Sequence, residues 1–235
     1  MRVILVGAGG KMGKTISEME NENFKIVAKI DLYGDFLHSI GEYKGQADVI
    51  FDFSSSKATD DVLSYAVDKK IPLVLGSTGQ TKKEIAKIKR ASKVVPIFFS
   101  ANTSVGIAAL GVVAKKVMGI FGKNSQVEIL EVHHKDKTDS PSGTALMLAK
   151  YLGAKKPTYA RRGARKPDEI GISSLRYGNV FGRHEIIISN GEQTITLTHD
   201  CSSRKVFAEG AFRAGEFILS KRCGLYDVFD LIDET

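Results

Sequence analysis

Short apolar runs alternate with amphipathic stretches through the first hundred residues of the chain. Residues 3–6, 24–30, 48–53, 72–75 and 94–99 are rich in Val, Ile and Phe and are bounded by turn residues, as buried strands are. Between them, residues 58–69 place Val62, Tyr65 and Ala66 at helical spacing. Residues 82–91 do the same with Ile85 and Ile88, behind Thr81, whose hydroxyl suits a helix start. Strands alternating with helices predict a parallel sheet covered by helices.

The pattern changes near Asn102. Residues 107–121 form one long apolar helical stretch and 126–132 a strand, and 142–152 place Ala145, Leu148, Ala149 and Leu152 on one helical face. Three strands follow at 172–180, 184–189 and 194–198. The last two alternate strongly and flank Asn190-Gly191, a hairpin signal. Residues 204–219 are again helical. The predicted class is α/β: a Rossmann-like domain on a parallel sheet, then a smaller α+β domain with mixed or antiparallel strands.

Composition narrows the function classes. At 235 residues the chain suits one compound domain or two intimately joined ones. The net charge is +7, but the densest basic cluster, Arg161-Arg162-Gly163-Ala164-Arg165-Lys166, has no interleaved aromatics and reads as a solvated loop or anion-site lining, not a nucleic-acid surface. Cys201 and Cys223 form no C-x-x-C pair, and free thiols suit a reducing cytosol. The first apolar run breaks into glycine after Val6, unlike a signal peptide, and no run approaches the ~18 apolar residues of a membrane span. A cytoplasmic location is therefore expected.

Two constellations carry chemistry. The first is Gly7-Ala8-Gly9-Gly10-Lys11-Met12-Gly13, after the first strand and at the start of a helix. Glycines there let the backbone turn tightly and approach a pyrophosphate, and the helix start offers free N–H groups. Met12 occupies the third glycine position of the strict G-x-G-x-x-G pattern, so the spacing is instead G-x-x-G-x-x-G. Asp31 follows the second strand, about 20 residues further on, where a carboxylate can accept hydrogen bonds from the adenosine ribose. Gly76-Ser77-Thr78-Gly79 and Ser100-Ala101-Asn102-Thr103 follow later strands, where open α/β sheets bind ligands. The cofactor-binding set is thus Gly7, Ala8, Gly9, Gly10, Lys11, Met12, Asp31, Gly76, Ser77, Thr78, Ser100, Ala101, Asn102 and Thr103.

The second constellation runs from Glu131 to Thr144. A strand ends in His133 and His134; Lys135, Asp136, Lys137 and Asp139 follow, and Pro141-Ser142-Gly143-Thr144 opens a helix. Histidine exchanges protons near neutral pH, lysine supplies a proton or offsets a carboxylate, and a helix start receives an anion. A zinc site drawn from His133, His134, His199 and Cys201 lacks the usual ligand spacing, so no metal is expected.

This segment, together with the glycine loop, Gly76-Ser77-Thr78-Gly79, Asn102-Thr103-Ser104-Val105-Gly106, Ser202-Ser203-Arg204 and Gly224-Leu225-Tyr226-Asp227, resembles the dihydrodipicolinate reductase family over essentially the whole chain. The resemblance implies a dinucleotide-binding domain of residues 1–103 plus 205–235. It implies a substrate-binding and oligomerisation domain of residues 104–204 with an open mixed sheet, assembled as a homotetramer. It further implies that His133 and Lys137 handle protons and that His134, Gly143 and Thr144 hold a small dicarboxylate. The implied reaction is NAD(P)H-dependent reduction of 4-hydroxy-tetrahydrodipicolinate in the diaminopimelate route to lysine. Leu32 stands where family members using both cofactors often carry Arg, which favours NADH, while Lys11 leaves NADPH open. Two other readings keep the scaffold: a dehydrogenase of a different anionic substrate, and a non-catalytic dinucleotide sensor that would not need the His/Lys/Thr set.

Overall fold

The computed structural model describes residues 1–233 and divides the chain into two compact units. The first comprises Met1–Ser104 and the chain from Arg204 onward; the second is Val105–Ser203.

In the first unit, β1 (Arg2–Val6), β2 (Lys25–Ile30), β3 (Val49–Asp52), β4 (Leu73–Leu75), β5 (Pro96–Phe99) and β11 (Gly224–Tyr226) form a wholly parallel sheet in the order β11-β5-β4-β3-β1-β2. Its central strands read as unbroken apolar runs because both faces are covered. On one face, Ile4, Val6, Ile50, Leu73, Leu75 and Ile97 pack with Val62, Leu63 and Ala66 of α2 (Thr59–Lys69) and Ile88 of α3 (Lys82–Ala91). Thr81 caps α3 as its sequence predicts, with Glu84 reaching back to complete a capping box. The opposite face carries Phe24, Phe51 and Phe98, with Phe24 against Phe212 and Phe98 against Phe217 of α6 (Lys205–Leu219). The buried side of α6 is made of small residues, Ala208, Gly210, Ala211, Ala214 and Gly215, up to Ile218 near its end, so the helix seats close to its neighbours.

The second unit is a five-stranded mixed sheet in the order β10-β9-β6-β8-β7. Here β6 (Gln126–His133), β8 (Ile170–Arg176) and β7 (Thr158–Tyr159) run parallel, and β9 (Gly182–Ser189) and β10 (Thr194–Cys201) antiparallel to their neighbours. The β9–β10 loop spans residues 190–193; the Asn190 side chain accepts the N–H groups of Glu192 and Gln193, and Gly191 takes positive φ. Helices α4 (Val105–Phe121) and α5 (Gly143–Tyr151) pack on this sheet. The strand expected at 172–180 lies two residues earlier and stops at Arg176, because Gly178 turns with positive φ and Tyr177 N–H returns to the His133 carbonyl. The short edge strands β7 and β11 have too few residues to show a period, and only their pairing defines them.

A Cβ added at Gly210 would stand 1.8 Å from the Thr103 carbonyl oxygen. Backbone cannot yield as a flexible side chain does, so Gly210→Ala should cost about 1–3 kcal/mol by overpacking. Calorimetry should show a melting temperature lower by several degrees, at roughly 2–4 °C per kcal/mol. An unchanged melting temperature would mean that α6 does not need this close seat.

Candidate active site

The glycine loop occupies the turn from β1 into α1 (Lys11–Ser17). Gly7 has φ +84, and a Cβ there would lie 2.7 Å from the Phe53 and Ser54 backbone, so only glycine fits. At Gly13 a Cβ would lie 2.1 Å from the Gly7 carbonyl oxygen. Gly7 and Ala8 both donate N–H to the Ile30 carbonyl, and Gly10 ends the turn as the helix N-cap. Lys11 and Met12 lie in the first turn of α1, with Lys11 exposed. Asp31, just after β2, accepts the Gly9 N–H at 2.9 Å. These residues border a cavity of about 360 Å³ whose walls include Gly7, Gly10, Asp31, Leu32, Tyr33 and His38.

The other predicted cofactor residues sit at the ends of β4 and β5. Gly76 and Ser77 both donate N–H to the Asp52 carbonyl, and Ser77 is buried with its hydroxyl on the Asp52 carboxyl. Thr78 and Ala101 are exposed, whereas Ser100, Asn102 and Thr103 are buried. Ser100 Oγ donates to the Asn102 carbonyl at 2.6 Å, and Thr103 Oγ1 to the Phe207 carbonyl at 2.6 Å. The Thr103 hydroxyl therefore ties the chain to α6, a role its sequence position does not suggest. Asp52 itself, at the end of β3, was not anticipated; burial raises its carboxyl, against hydrogen bonds from Ser54 and Ser77.

In the second unit one face of the sheet changes character along its length. Val127 and Ile129 of β6, Ile170 and Ile172 of β8, and Ile186 and Ile188 of β9 are apolar and buried. Two residues further along β6 and β8, and at the start of β9, the same face presents Glu131, His133, Ser174, Arg176 and His184. The period of two puts all of these on one side.

Glu131 organises this polar end. It is fully buried, and its carboxylate meets four partners: His133 Nδ1 at 2.5 Å, Arg176 through both terminal nitrogens at 2.9 and 2.7 Å, the Ser142 N–H at 3.1 Å, and the Ser174 hydroxyl. Burial alone would raise its pKa; the bonds from His133, Arg176 and Ser174 outweigh that and hold it well below the usual carboxylate range. Arg176 also donates to the Asp139 carbonyl at 2.6 Å, fixing the loop between β6 and α5. On that loop Lys137 pairs with Asp139 at 2.7 Å, and Lys137 N–H returns to the His134 carbonyl at 3.1 Å. Burial opposes ionisation of Asp139, but Lys137 and the Gly143 N–H hold its carboxyl below the usual range. Ser142 caps α5, so Gly143 and Thr144 open the helix beside this cluster.

His184 stands directly opposite Glu131, its ring edge-on to His133 at 5.3 Å, with Nε2 3.2 Å from Ser142 Oγ. Burial, with His133 adding to it, pushes the His184 imidazole down to about 3. The structure thus brings His133, Lys137, Gly143 and Thr144 to one end of the unit, with half-buried His134 at the turn. Arg176 and His184 were missed. Strand periodicity from His133 back to Glu131 was the available signal for Glu131, whereas Arg176 and His184 come from strands paired across the sheet. The basic cluster is partly neutralised: Arg161 pairs with Glu128 and Glu169, and Arg165 with Glu128. No group of three or more metal-ligating side chains, and no helix long and apolar enough to cross a membrane, occurs among the described residues.

Family models for the dihydrodipicolinate reductase N-terminus and C-terminus match residues 1–103 and 106–232. A 4-hydroxy-tetrahydrodipicolinate reductase of Clostridium novyi (strain NT) is 41% identical, covering 98% of both chains. One of Rickettsia bellii (strain OSU 85-389) is 42% identical, covering 96% of this chain and 92% of its own. Among solved structures, a dipicolinate-bound dihydrodipicolinate reductase from Paenisporosarcina sp. TG-14 superposes with a TM-score of 0.74 at 23% identity, over 97% of each chain. That likeness is one of fold.

The buried histidine makes acid stability a test of the site. His184 is neutral in the folded protein down to about pH 3 but takes a proton near 6.5 once unfolded. Its contribution is therefore present above pH 6.5 and is lost as pH falls towards 3. From this group alone, urea unfolding should give about 2 kcal/mol less stability at pH 5 than at pH 7. His184→Gln should remove that part of the pH dependence; an equally steep loss in the variant would show that His184 is not its source.

Proposed function

The chain belongs to the dihydrodipicolinate reductase family, and we propose that it draws hydride through the glycine-loop unit and protons from the cluster around His133. It is an NAD(P)H-dependent oxidoreductase that converts 4-hydroxy-tetrahydrodipicolinate to tetrahydrodipicolinate, in the diaminopimelate route to lysine. The substrate is a small dicarboxylate.

The residues of the first unit fit a dinucleotide. The turn has no room for a Cβ at Gly7 or Gly13, and the cavity beside it is bordered by Asp31 and the exposed Leu32 and Tyr33. Gly7, Ala8, Gly9, Gly10, Lys11 and Met12 would receive the pyrophosphate, and Asp31 the adenosine ribose. Gly76, Ser77, Thr78, Ser100, Ala101, Asn102 and Thr103 would line the nicotinamide end. When bound, the reduced nicotinamide supplies a hydride to C4 of the substrate ring. We favour NADH, because Asp31 would repel a 2′-phosphate; Lys11, and Lys57 in the cavity wall, offset that only in part.

The rest of the reaction is acid–base work. The 4-hydroxyl and a proton from the adjoining ring carbon leave together as water, and the unsaturated ring then gains hydride at C4 and one proton at that neighbouring carbon. His133 delivers that proton and Lys137 is the second proton donor. His134, Gly143 and Thr144 hold the substrate carboxylates. The observation that carries this reading is the continuous hydrogen-bonded set of His133, Glu131, Arg176, Asp139 and Lys137, with Ser142 linking it to the start of α5. A substrate carboxylate at Gly143 takes over contacts that Asp139 makes, exchanging one carboxylate for another near Lys137. We further propose a cytoplasmic location and a homotetramer, the assembly supported by exposed Leu175 and Tyr177 at the end of β8.

Cofactor oxidation assayed with 4-hydroxy-tetrahydrodipicolinate tests the reading. NADH should give the higher kcat/KM. His133→Gln should lower turnover by about 10²-fold or more, the usual scale of a lost general acid, with NADH affinity unchanged. An unaltered rate would remove His133 from the mechanism. Light scattering should give four times the 25.6 kDa chain mass; a monomeric mass would refute the tetramer.

A further inference from the structure

We infer that Glu131, backed by Arg176, is a positioning residue that fixes the His133 imidazole with its proton on Nδ1 and leaves Nε2 as the one ring nitrogen able to exchange a proton. The inference rests on the reading of His133 as the proton carrier and extends it to residues that never touch substrate.

The geometry supplies the argument. A carboxylate has no proton to give, so the 2.5 Å contact between Glu131 Oε2 and His133 Nδ1 requires the hydrogen on Nδ1. Glu131 cannot turn away, because Arg176 grips both of its oxygens and Ser142 N–H holds Oε1. Arg176 is itself anchored to the Leu175 and Asp139 carbonyls. On the other side of the ring, Nε2 faces Gly182, where even a Cβ would come within 3.2 Å. The imidazole is thus held by a carboxylate at one nitrogen and given space at the other, as an oriented acid–base histidine requires.

The charges around His133 make Glu131 more than a bracket. Glu131 and Arg176 cancel formally, but the carboxylate contacts the ring directly and the guanidinium lies behind it. Lys137 and Asp139 form a second cancelling pair on the adjoining loop. His184 and His199, on β9 and β10, are both pushed down by burial and stay uncharged near neutral pH. The charge nearest an imidazolium at His133 is therefore the Glu131 carboxylate, with the guanidinium that balances it one bond further off. Removing that charge should make the imidazolium easier to deprotonate, and removing Arg176 should do the reverse.

The test is the rate profile. If His133 works as an acid, activity fades on the alkaline side as it loses its proton. In Glu131→Gln that alkaline limb should move down by about one pH unit, with a lower kcat and little change in the KM for NADH. In Arg176→Met it should move up. A purely structural role would lower activity without moving the limb, and identical limbs in wild type and both variants would overturn the inference. Each single variant strands a buried charge and can unfold, so the double variant Glu131→Gln/Arg176→Met, which strands none, is measured alongside; its limb should also lie below that of the wild type. One measurement needs no variant of the pair. In the intact protein, nitrogen chemical shifts of the neutral His133 ring, assigned by difference from His133→Gln, should report a proton on Nδ1; a proton on Nε2 would refute the inference. Full turnover in His133→Gln would instead refute the acid role itself and leave the tautomer result standing.

Discussion

A carboxylate with no exposure stays ionised only if the protein replaces all the hydration it has lost, and Glu131 is that case. Its oxygens meet a guanidinium, an imidazole, a serine hydroxyl and a backbone N–H. The four partners come from three pieces of the second unit: His133 from β6 itself, Arg176 and Ser174 from β8, and Ser142 at the start of α5. Satisfying one buried charge therefore sets three relations at once, namely the orientation of His133, the path of the Lys137 loop through Arg176, and the position of the Gly143–Thr144 helix start. Loss of a single partner in such a network leaves an uncompensated buried charge, an expense of about 3–5 kcal/mol in comparable pairs. The same constraint that organises the site thus ties it to stability.

The first unit offers a contrast. Asp52 is also a buried carboxyl at the end of a strand, but its partners are the neutral groups of Ser54 and Ser77. With no cation to offset desolvation, it is raised where Glu131 is lowered. Two carboxyls in similar topological places thus differ in charge preference for one physical reason. Burial makes Asp52, at the end of β3 within the glycine-loop unit, the costlier of the two to ionise. An ionised carboxylate beneath His133 suits the proton-carrying role proposed for that ring.

Most of the fold could be read from the chain because burial on both faces writes long apolar runs, and helical spacing separates them. The glycine loop was equally legible: Gly7 and Gly13 answer to backbone contacts that exclude any side chain. The short strands β7 and β11 were not, since two or three residues carry no period. In the site, His133, Lys137, Gly143 and Thr144 lie within twelve residues of one another and could be singled out together. Arg176 and His184 could not, because sheet pairing alone brings them to Glu131, from 45 and 53 positions away. Thr103 was legible as a strand end facing a ligand site but not as the residue whose hydroxyl binds the α6 backbone.

The division of labour within the cluster follows from what each group stands on. His133 closes a strand that pairs with β9 as far as Val132 and with β8 through His133 itself, so its ring is carried by a constrained backbone. Lys137 stands on a loop held at separate points: the Asp139 carbonyl to Arg176, the Lys135 N–H to the Gly178 carbonyl, and the Lys137 N–H to the His134 carbonyl. Between those points its long side chain can follow a carboxylate partner. On the roles proposed above both groups carry protons, but the imidazole works from a fixed place, whereas the ammonium first exchanges Asp139 for an incoming carboxylate, which a point charge on a flexible stem allows. A strand for the imidazole and a pinned loop for the ammonium is the arrangement those two demands favour.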